Sequence, residues 1–435
     1  MPLPLPGCSA IGTRGGNTEG IRQAKAAALA TVLSEALRKV PHYRATVGIR
    51  PGEITPENAA QGLTAFPYLE KDAVAEDPRA FVNEDYRPER LLANTSTGST
   101  GRGIWIFRTL AEYEIEMAFF RHHWGALGFQ PGSRMVRIAS ESRRLAHEYP
   151  MQVIGNRLLV CPYHLTAEWL PQIYDAVCCF RPDAIHAYPS SLERLATFIT
   201  ETGRPPVACR GVLLASESCT MEQCALFSRS FTGTISVNYG LSERTNLAFA
   251  SYTPGSHKLD YVIEDLYGVT ETRPTSDGFS ELVGTSYWNR AMPFIRYRTG
   301  DLGRIEDDRI LITLGRRQHL FVTKLGTAVP GNHVRMESFF WDFMSIAQLV
   351  QRRPGALCLR LVPKFSYTRE AGDRILKELR RRLGHLFDIS MEMVDAIPPG
   401  PGGKREFAIV ETTASRAPEN PRLIPTVADC EVDAR

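Results

Sequence analysis

Apolar residues recur at helical spacing over residues 21–39 (IRQAKAAALATVLSEALRK), a stretch rich in helix formers. They do so again over 109–124, where Gly125, Gly128 and Pro131-Gly132 follow as breakers. Both stretches predict helices. Residues 45–90 are interrupted by proline and predict short elements only. From 134 to about 314, short apolar runs alternate with helical patterns. Residues 135–139, 157–160, 211–215 and 235–238 read as strands and 192–202 as a helix, with later strands at 279–285 and 309–314. Such alternation predicts a layered α/β architecture. After about 316 the pattern restarts: a strand at 320–323, a helix at 334–350, and strands at 356–362 and 390–394 flanking a helix at 369–383. This predicts a separate small α+β domain of about a hundred residues. The division expected is a loose N-terminus (1–20), a large domain (21–315), a small domain (316–412) and a polar, Pro-containing tail (413–435).

The length of 435 residues suits two or three domains at roughly 150 residues each. With 43% hydrophobic and 23% charged residues, the composition excludes a disordered or collagen-like chain. The net charge of +3, from 51 Lys+Arg against 48 Asp+Glu, makes no electrostatic case for a nucleic-acid or membrane-surface partner. No apolar run approaches the ~20 residues of a transmembrane helix. Residues 1–20 are Pro- and Gly-rich without an apolar core, so no secretory signal is expected there. The nine cysteines show no CxxC spacing, which argues against a zinc ribbon or thioredoxin motif. They read as reduced residues of a cytoplasmic protein.

Five segments carry candidate chemistry. In Thr95-Ser96-Thr97-Gly98-Ser99-Thr100-Gly101 every residue is a hydroxyl or a glycine. Its backbone N–H groups and hydroxyls can wrap phosphate oxygens, because glycine lets the backbone approach closely; a polar surface loop is the alternative. It is not a Walker A loop, since Ile104-Trp105 stand where Lys-Ser/Thr is required. Tyr239-Gly240-Leu241-Ser242-Glu243 follows a predicted strand, placing a carboxylate fit for Mg²⁺ and an aromatic ring fit to stack on a base, unless it is a surface turn. Arg296-Tyr297-Arg298-Thr299-Gly300-Asp301 ends in an Asp that either makes a local turn or accepts from two ribose hydroxyls. Gly315-Arg316 falls at the domain boundary. Pro398-Pro399-Gly400-Pro401-Gly402-Gly403-Lys404 presents a lysine that is either solvated or brought as a point charge to a phosphate.

In this order and at these separations, the series resembles the adenylate-forming superfamily. Pro41-His42-Tyr43, Ala187-Tyr188-Pro189-Ser190 and the run Met292-Pro293-Phe294-Ile295 leading into Arg296 resemble its phenylacetate–CoA ligase branch and the capsular-polysaccharide-type relatives. The resemblance covers about residues 35–410. It implies a large layered α/β N-terminal adenylate-forming domain and a small mobile α+β C-terminal domain. It implies an ATP-dependent, AMP-forming acid–thiol ligase of the acyl- or aryl-CoA type, with Mg²⁺ and with CoA as co-substrate. Ser96, Thr97, Gly98, Ser99, Thr100 and Gly101 are then expected on the ATP phosphates, Tyr239 on adenine and Asp301 on ribose. Glu243 is expected with Mg²⁺, Arg316 at the hinge, and Lys404 as the catalytic lysine.

The same resemblance places an acid pocket near His123, Trp124, His186, Tyr188, Ser216 and Arg244, each of which is otherwise a core or rim residue. Arg244 suits either a substrate carboxylate or a neighbouring acid. An aromatic acid is favoured by analogy alone. No cysteine lies between 224 and 358, so the zinc site of some relatives is not expected. Arg317-Gln318-His319 stand where the family's hinge carries acidic residues, which motivates a second reading: transfer of the acyl group to an amine, a hydroxyl or a carrier-protein thiol. A third is a nucleotide-binding relative without catalysis, against which the presence of Lys404, Glu243 and Asp301 counts.

Overall fold

The computed structural model describes residues 18–96, 104–139, 149–217, 219–274, 280–314, 320–330, 334, 336–397 and 407–411. Helix α1 (Thr18–Lys39) buries Leu29, Leu33, Ala36 and Leu37, an i, i+4, i+7, i+8 stripe. Three short helices follow: α2 (Pro41–Thr46), α3 (Ala59–Thr64) and α4 (Lys71–Glu76). Pro41 starts α2 at the position where a missing N–H costs nothing. Buried Tyr43 then reaches across the chain, its hydroxyl donating to the Pro293 carbonyl and accepting the Ile295 N–H, each at 3.0 Å. Tyr43, Phe66, Phe81, Phe294 and Tyr297 share one core, so the N-terminal helices are anchored on the Pro-Phe-Ile-Arg run.

Strands β1 (Leu92–Thr95) and β2 (Trp105–Arg108) pair antiparallel, with Thr95 opposite Trp105. Helix α5 (Leu110–Ala126) opens on a Thr109/Glu112 capping box. The chain continues through β3 (Met135–Ile138), β4 (Met151–Ile154), β5 (Arg157–Val160), α6 (Leu170–Phe180), β6 (Ala184–Ala187), α7 (Pro189–Glu201), β7 (Gly211–Leu214), α8 (Met221–Ser230) and β8 (Thr234–Gly240). Then come β9 (Leu247–Ser251), β10 (Tyr261–Ile263), β11 (Gly268–Pro274), β12 (Ser280–Ser286), β13 (Tyr297–Glu306) and β14 (Arg309–Leu314).

Among the described residues, twelve strands form one sheet in the order β11-β12-β13-β14-β10-β9-β8-β7-β6-β3-β5-β4. The block β8-β7-β6-β3-β5 is parallel, as its α7 and α8 crossovers require. The remaining pairings are antiparallel. Ile185, Ala187, Val212, Leu214, Ile235 and Val237 turn one face of the block toward α6, α7 and α8. Met135, Ala184 and Leu213 turn the other toward Trp124 of α5.

Beyond β15 (Leu320–Val322) and β16 (Ala328–Pro330) lie β17 (Met344–Gln351), β18 (Ala356–Pro363), α9 (Arg369–Leu383), β19 (Asp388–Met393) and β20 (Ala408–Val410). The last four strands make a smaller sheet, β19-β18-β17-β20, whose core joins Leu349, Leu359 and Leu361 to Ile375 and Leu379 of α9. The boundary drawn at 315/316 falls outside the described residues, as do most of 1–20 and all of 413–435. One expected element is corrected. The helix over 334–350 is a short 3₁₀ turn (Ser338–Asp342) followed by β17. A short apolar run does not separate strand from buried helix by periodicity. Here β17 is an inner strand, antiparallel to β18 and parallel to β20, and that pairing decides its form.

Candidate functional site

Ligands of α/β sheets bind in the crevice outside the carboxyl ends of the parallel strands. The chain segments leaving β6, β7 and β8 at that edge carry Tyr188, Ser190, Ser216, Glu217 and Glu243, with Tyr239 at the end of β8 itself. Tyr188 caps α7, and Ser190 in its first turn donates both its backbone N–H and its hydroxyl to Glu217, each at 3.0 Å. Glu217 thereby ties the exit of β7 to the start of α7. Ser216, exposed just before it, takes a left-handed φ of 70°.

On the opposite limb of the sheet, Asp301 of β13 is buried at 9% exposure. The local turn expected here is instead an irregularity within β13, where the pairing with β12 shifts register; Gly300 takes φ 76° and its N–H bonds to Glu281 at 3.0 Å. Glu281 is itself held by Arg298 through Nε at 2.8 Å and Nη2 at 2.7 Å. The Tyr239 hydroxyl donates to Asp301 Oδ2 at 3.1 Å, joining the second and third sequence motifs. Glu243 is 6% exposed and accepts a hydrogen bond from the Tyr297 hydroxyl at 2.9 Å. Asn289 fastens the Glu243 main chain through its carbonyl at 3.2 Å.

Arg244 has a left-handed φ of 60° and turns its guanidinium onto Glu116 of α5. Glu116 also accepts from Arg108 at 2.6 Å and from the Tyr267 hydroxyl at 3.4 Å. Burial raises the Tyr267 phenol well above its ordinary value, so it serves there as a neutral donor.

His123, also on α5, stands with Nε2 2.8 Å from Ser236 Oγ and stacks on Phe249 at 3.9 Å. The Trp124 ring lies 5.8 Å from that of His186. Burial, and then the charges of Arg137 and Arg157, depress His186 to about 3, so its imidazole is neutral at ordinary pH.

Ser96 is buried and closes the base of the hydroxyl/glycine loop: its N–H bonds to the Ile104 carbonyl at 3.0 Å, and Ile104 N–H returns to its hydroxyl at 3.3 Å. Thr97, Gly98, Ser99, Thr100, Gly101, Arg316 and Lys404 lie outside the described residues. Sequence reasoning did not single out Glu217, Glu281 or Tyr297. Tyr297 sat inside a quoted motif; the two glutamates had no signal in spacing, because their partners are distant in the chain. Among the described residues, no three His, Cys, Asp or Glu side chains gather as a metal cluster, and no helix is long and apolar enough to cross a membrane.

The large mixed sheet, its crevice and the smaller C-terminal sheet are the fold of the adenylate-forming enzymes. The solved structure of 2-hydroxyisobutyryl-CoA ligase in complex with 2-HIB-AMP and CoA superposes with a TM-score of 0.56 at 15% identity, over 90% of each chain. In sequence, residues 322–411 match the CapK C-terminal domain. The chain is 20% identical to protein CapK of Staphylococcus aureus over 370 residues, 80% of each chain. It is 24% identical to the phenylacetate-coenzyme A ligase of Aromatoleum evansii over 286 residues, 62% of this chain and 63% of that one. Its relatives thus include CapK and the phenylacetate–CoA ligases, the branch that the motifs resemble.

Proposed function

We propose that the chain is an ATP-dependent, AMP-forming ligase that activates a carboxylic acid and passes the acyl group to the thiol of CoA. The observation that carries this reading is the Tyr239–Asp301 hydrogen bond of 3.1 Å at the crevice that also holds Glu243. Asp301 offers two carboxylate oxygens to two ribose hydroxyls. Tyr239 offers an aromatic face to adenine. Glu243 is a single buried carboxylate, which suits Mg²⁺ held by one carboxylate, phosphate oxygens and water. When bound, Mg²⁺ supplies positive charge against the phosphates.

In the first half-reaction a carboxylate oxygen of the acid attacks the α-phosphorus. The bond to the bridging oxygen breaks and pyrophosphate leaves. Charge gathers on phosphate oxygens, so the chain contributes positioning and fixed positive charge rather than a covalent nucleophile. Ser96 to Gly101 would hold the phosphates by backbone N–H groups and hydroxyls, with Lys404 as a point charge. Residues 316–412 would form the small domain that carries Lys404, Arg316 lying at its hinge; its movement would expose the acyl-adenylate to the thiol. The thiolate then takes the acyl carbon and AMP departs.

The test is pyrophosphate release with MgATP over a panel of carboxylic acids, with and without CoA, followed by product mass. Release with a CoA thioester is the expected result. Accumulation of acyl-adenylate in the presence of CoA would assign the acceptor role to an amine, a hydroxyl or a carrier-protein thiol. No release with any acid would overturn the reading.

A further inference from the structure

Parallel strands covered on both faces are almost uniformly apolar, because neither face meets water. The face toward α6, α7 and α8 obeys this. The face toward α5 does not. One register row across it reads Arg137 on β3, His186 on β6, Leu213 on β7 and Ser236 on β8. From α5, His123 adds a second imidazole against Ser236. His186 is only 8% exposed, yet its buried Nδ1 has no hydrogen-bond partner in the protein. A buried polar atom left without a protein partner costs free energy unless water or a ligand atom meets it, and at a strand edge beside the proposed site a ligand atom fits that place. The row lies just inside the carboxyl-end edge of the parallel strands, His186 preceding Tyr188 by two positions on the same face, about 7 Å. Tyr239, three positions beyond Ser236, turns to the opposite face, so the acid would meet the nucleotide at that edge; His186 stands two strand spacings, about 10 Å, from Ser236. That is the span of a small organic acid.

We infer that this row reads the tail of the acid, and that the acid carries on that tail an oxygen that hydrogen-bonds His186 Nδ1: a hydroxyl, which suits either tautomer, or an oxo group or second carboxylate, which suits the Nδ1–H form. The inference rests on the acid-activating function proposed above. It differs from a plain aryl or alkyl acid, whose tail would leave His186 Nδ1 unsatisfied. The positive charges of Arg137 and Arg157 beside His186 favour an electron-rich group in the same place. A site built to hydrogen-bond an oxygen rejects the analogue that lacks it more strongly than an apolar pocket rejects an added hydroxyl.

The experiment compares matched acids by calorimetry on the full chain with a non-hydrolysable ATP analogue: benzoate and 4-hydroxybenzoate, phenylacetate and 4-hydroxyphenylacetate, butyrate against 3-hydroxybutyrate and succinate. The oxygenated member of at least one set is expected to bind about tenfold tighter. His186→Phe is expected to erase that preference, and His186→Gln to keep part of it. Equal affinity within every set, no binding by any oxygenated acid, or an undiminished preference in both variants overturns the inference. Pyrophosphate release is read separately on the same acids. An oxygen preference in binding without release supports this inference and counts against acid activation. Release driven equally by plain and oxygenated acids does the reverse.

Discussion

The hydroxyl of Tyr239 and the carboxylate of Asp301 lie 3.1 Å apart although β8 and β13 are not neighbours in the sheet. Strands β9, β10 and β14 separate them, four spacings or about 19 Å if the sheet were flat. The sheet must curl for the two side chains to meet, and the same curl brings Tyr297 of β13 onto Glu243. Substituting Asp301→Ala removes the proposed ribose acceptor. ATP is expected to bind about 10- to 100-fold more weakly, as for loss of a charge-assisted hydrogen bond, and Tyr239→Phe to cost less than about tenfold. An unchanged ATP dissociation constant in Asp301→Ala by calorimetry would remove Asp301 from the nucleotide site.

Glu243 and Tyr297 form a second pair, hydrogen-bonded at 2.9 Å and both buried. Tyr297→Phe deletes one donor to a buried carboxylate and is expected to lower folding stability by about 1–3 kcal/mol. Glu243→Gln keeps the shape but loses the charge, and should raise the Mg²⁺ concentration needed for half-maximal pyrophosphate release. Urea unfolding checks the first, and a Mg²⁺ titration the second. The same Mg²⁺ dependence in Glu243→Gln and wild type would leave Glu243 a structural residue.

Lys404 is proposed to act on the reacting phosphate and not on nucleotide affinity. Lys404→Ala is therefore expected to nearly abolish acyl-adenylate formation, with ATP bound within a few-fold of wild type. Normal pyrophosphate release by that variant would falsify the assignment.

The Glu116 carboxylate serves Arg108, Arg244 and the Tyr267 hydroxyl at once. Glu116→Ala strands two guanidinium groups in the interior and is expected to destabilise the fold by about 3–5 kcal/mol. Arg244→Ala leaves Glu116 paired with Arg108 and should cost clearly less. Equal losses in urea unfolding would show that Arg108 alone does not compensate Glu116.

His186 also makes a pH prediction. Its folded pKa lies near 3, below the unfolded value of about 6.5. The imidazole is neutral in both states above about pH 6.5, where its contribution to stability is complete. As pH falls from there toward 3, the unfolded chain takes up the proton first and stability drains away. Between pH 7 and pH 4 the wild type is expected to lose roughly 3 kcal/mol more than His186→Phe. Parallel urea-midpoint curves for the two proteins would show that His186 is not held neutral.

The local elements were largely legible in the sequence. Helix α9 matches its predicted range of 369–383, and α1, α5, β3, β5, β7 and β14 lie where apolar spacing puts them. Each owes its form to contacts within one turn or to an alternation that one buried face imposes. Residues 334–350 misled because a strand flanked on both sides in a sheet is apolar in a way that periodicity shares with a buried helix. The fold class was legible as well, since its motifs keep their order along the chain.

The sequence by itself determined the α/β layering and the residue types available at each motif. Only the tertiary structure decided which of them meet. Tyr239 finds Asp301, Arg244 finds Glu116, Ser190 finds Glu217, and His186 is left under Trp124 with a buried nitrogen unpaired. Apart from Ser190 and Glu217, which one crossover brings to adjacent strand ends, these meetings depend on how far the sheet curls and how α5 lies across it. Those are sums of many packing contacts between distant residues, and no local pattern along the chain encodes them.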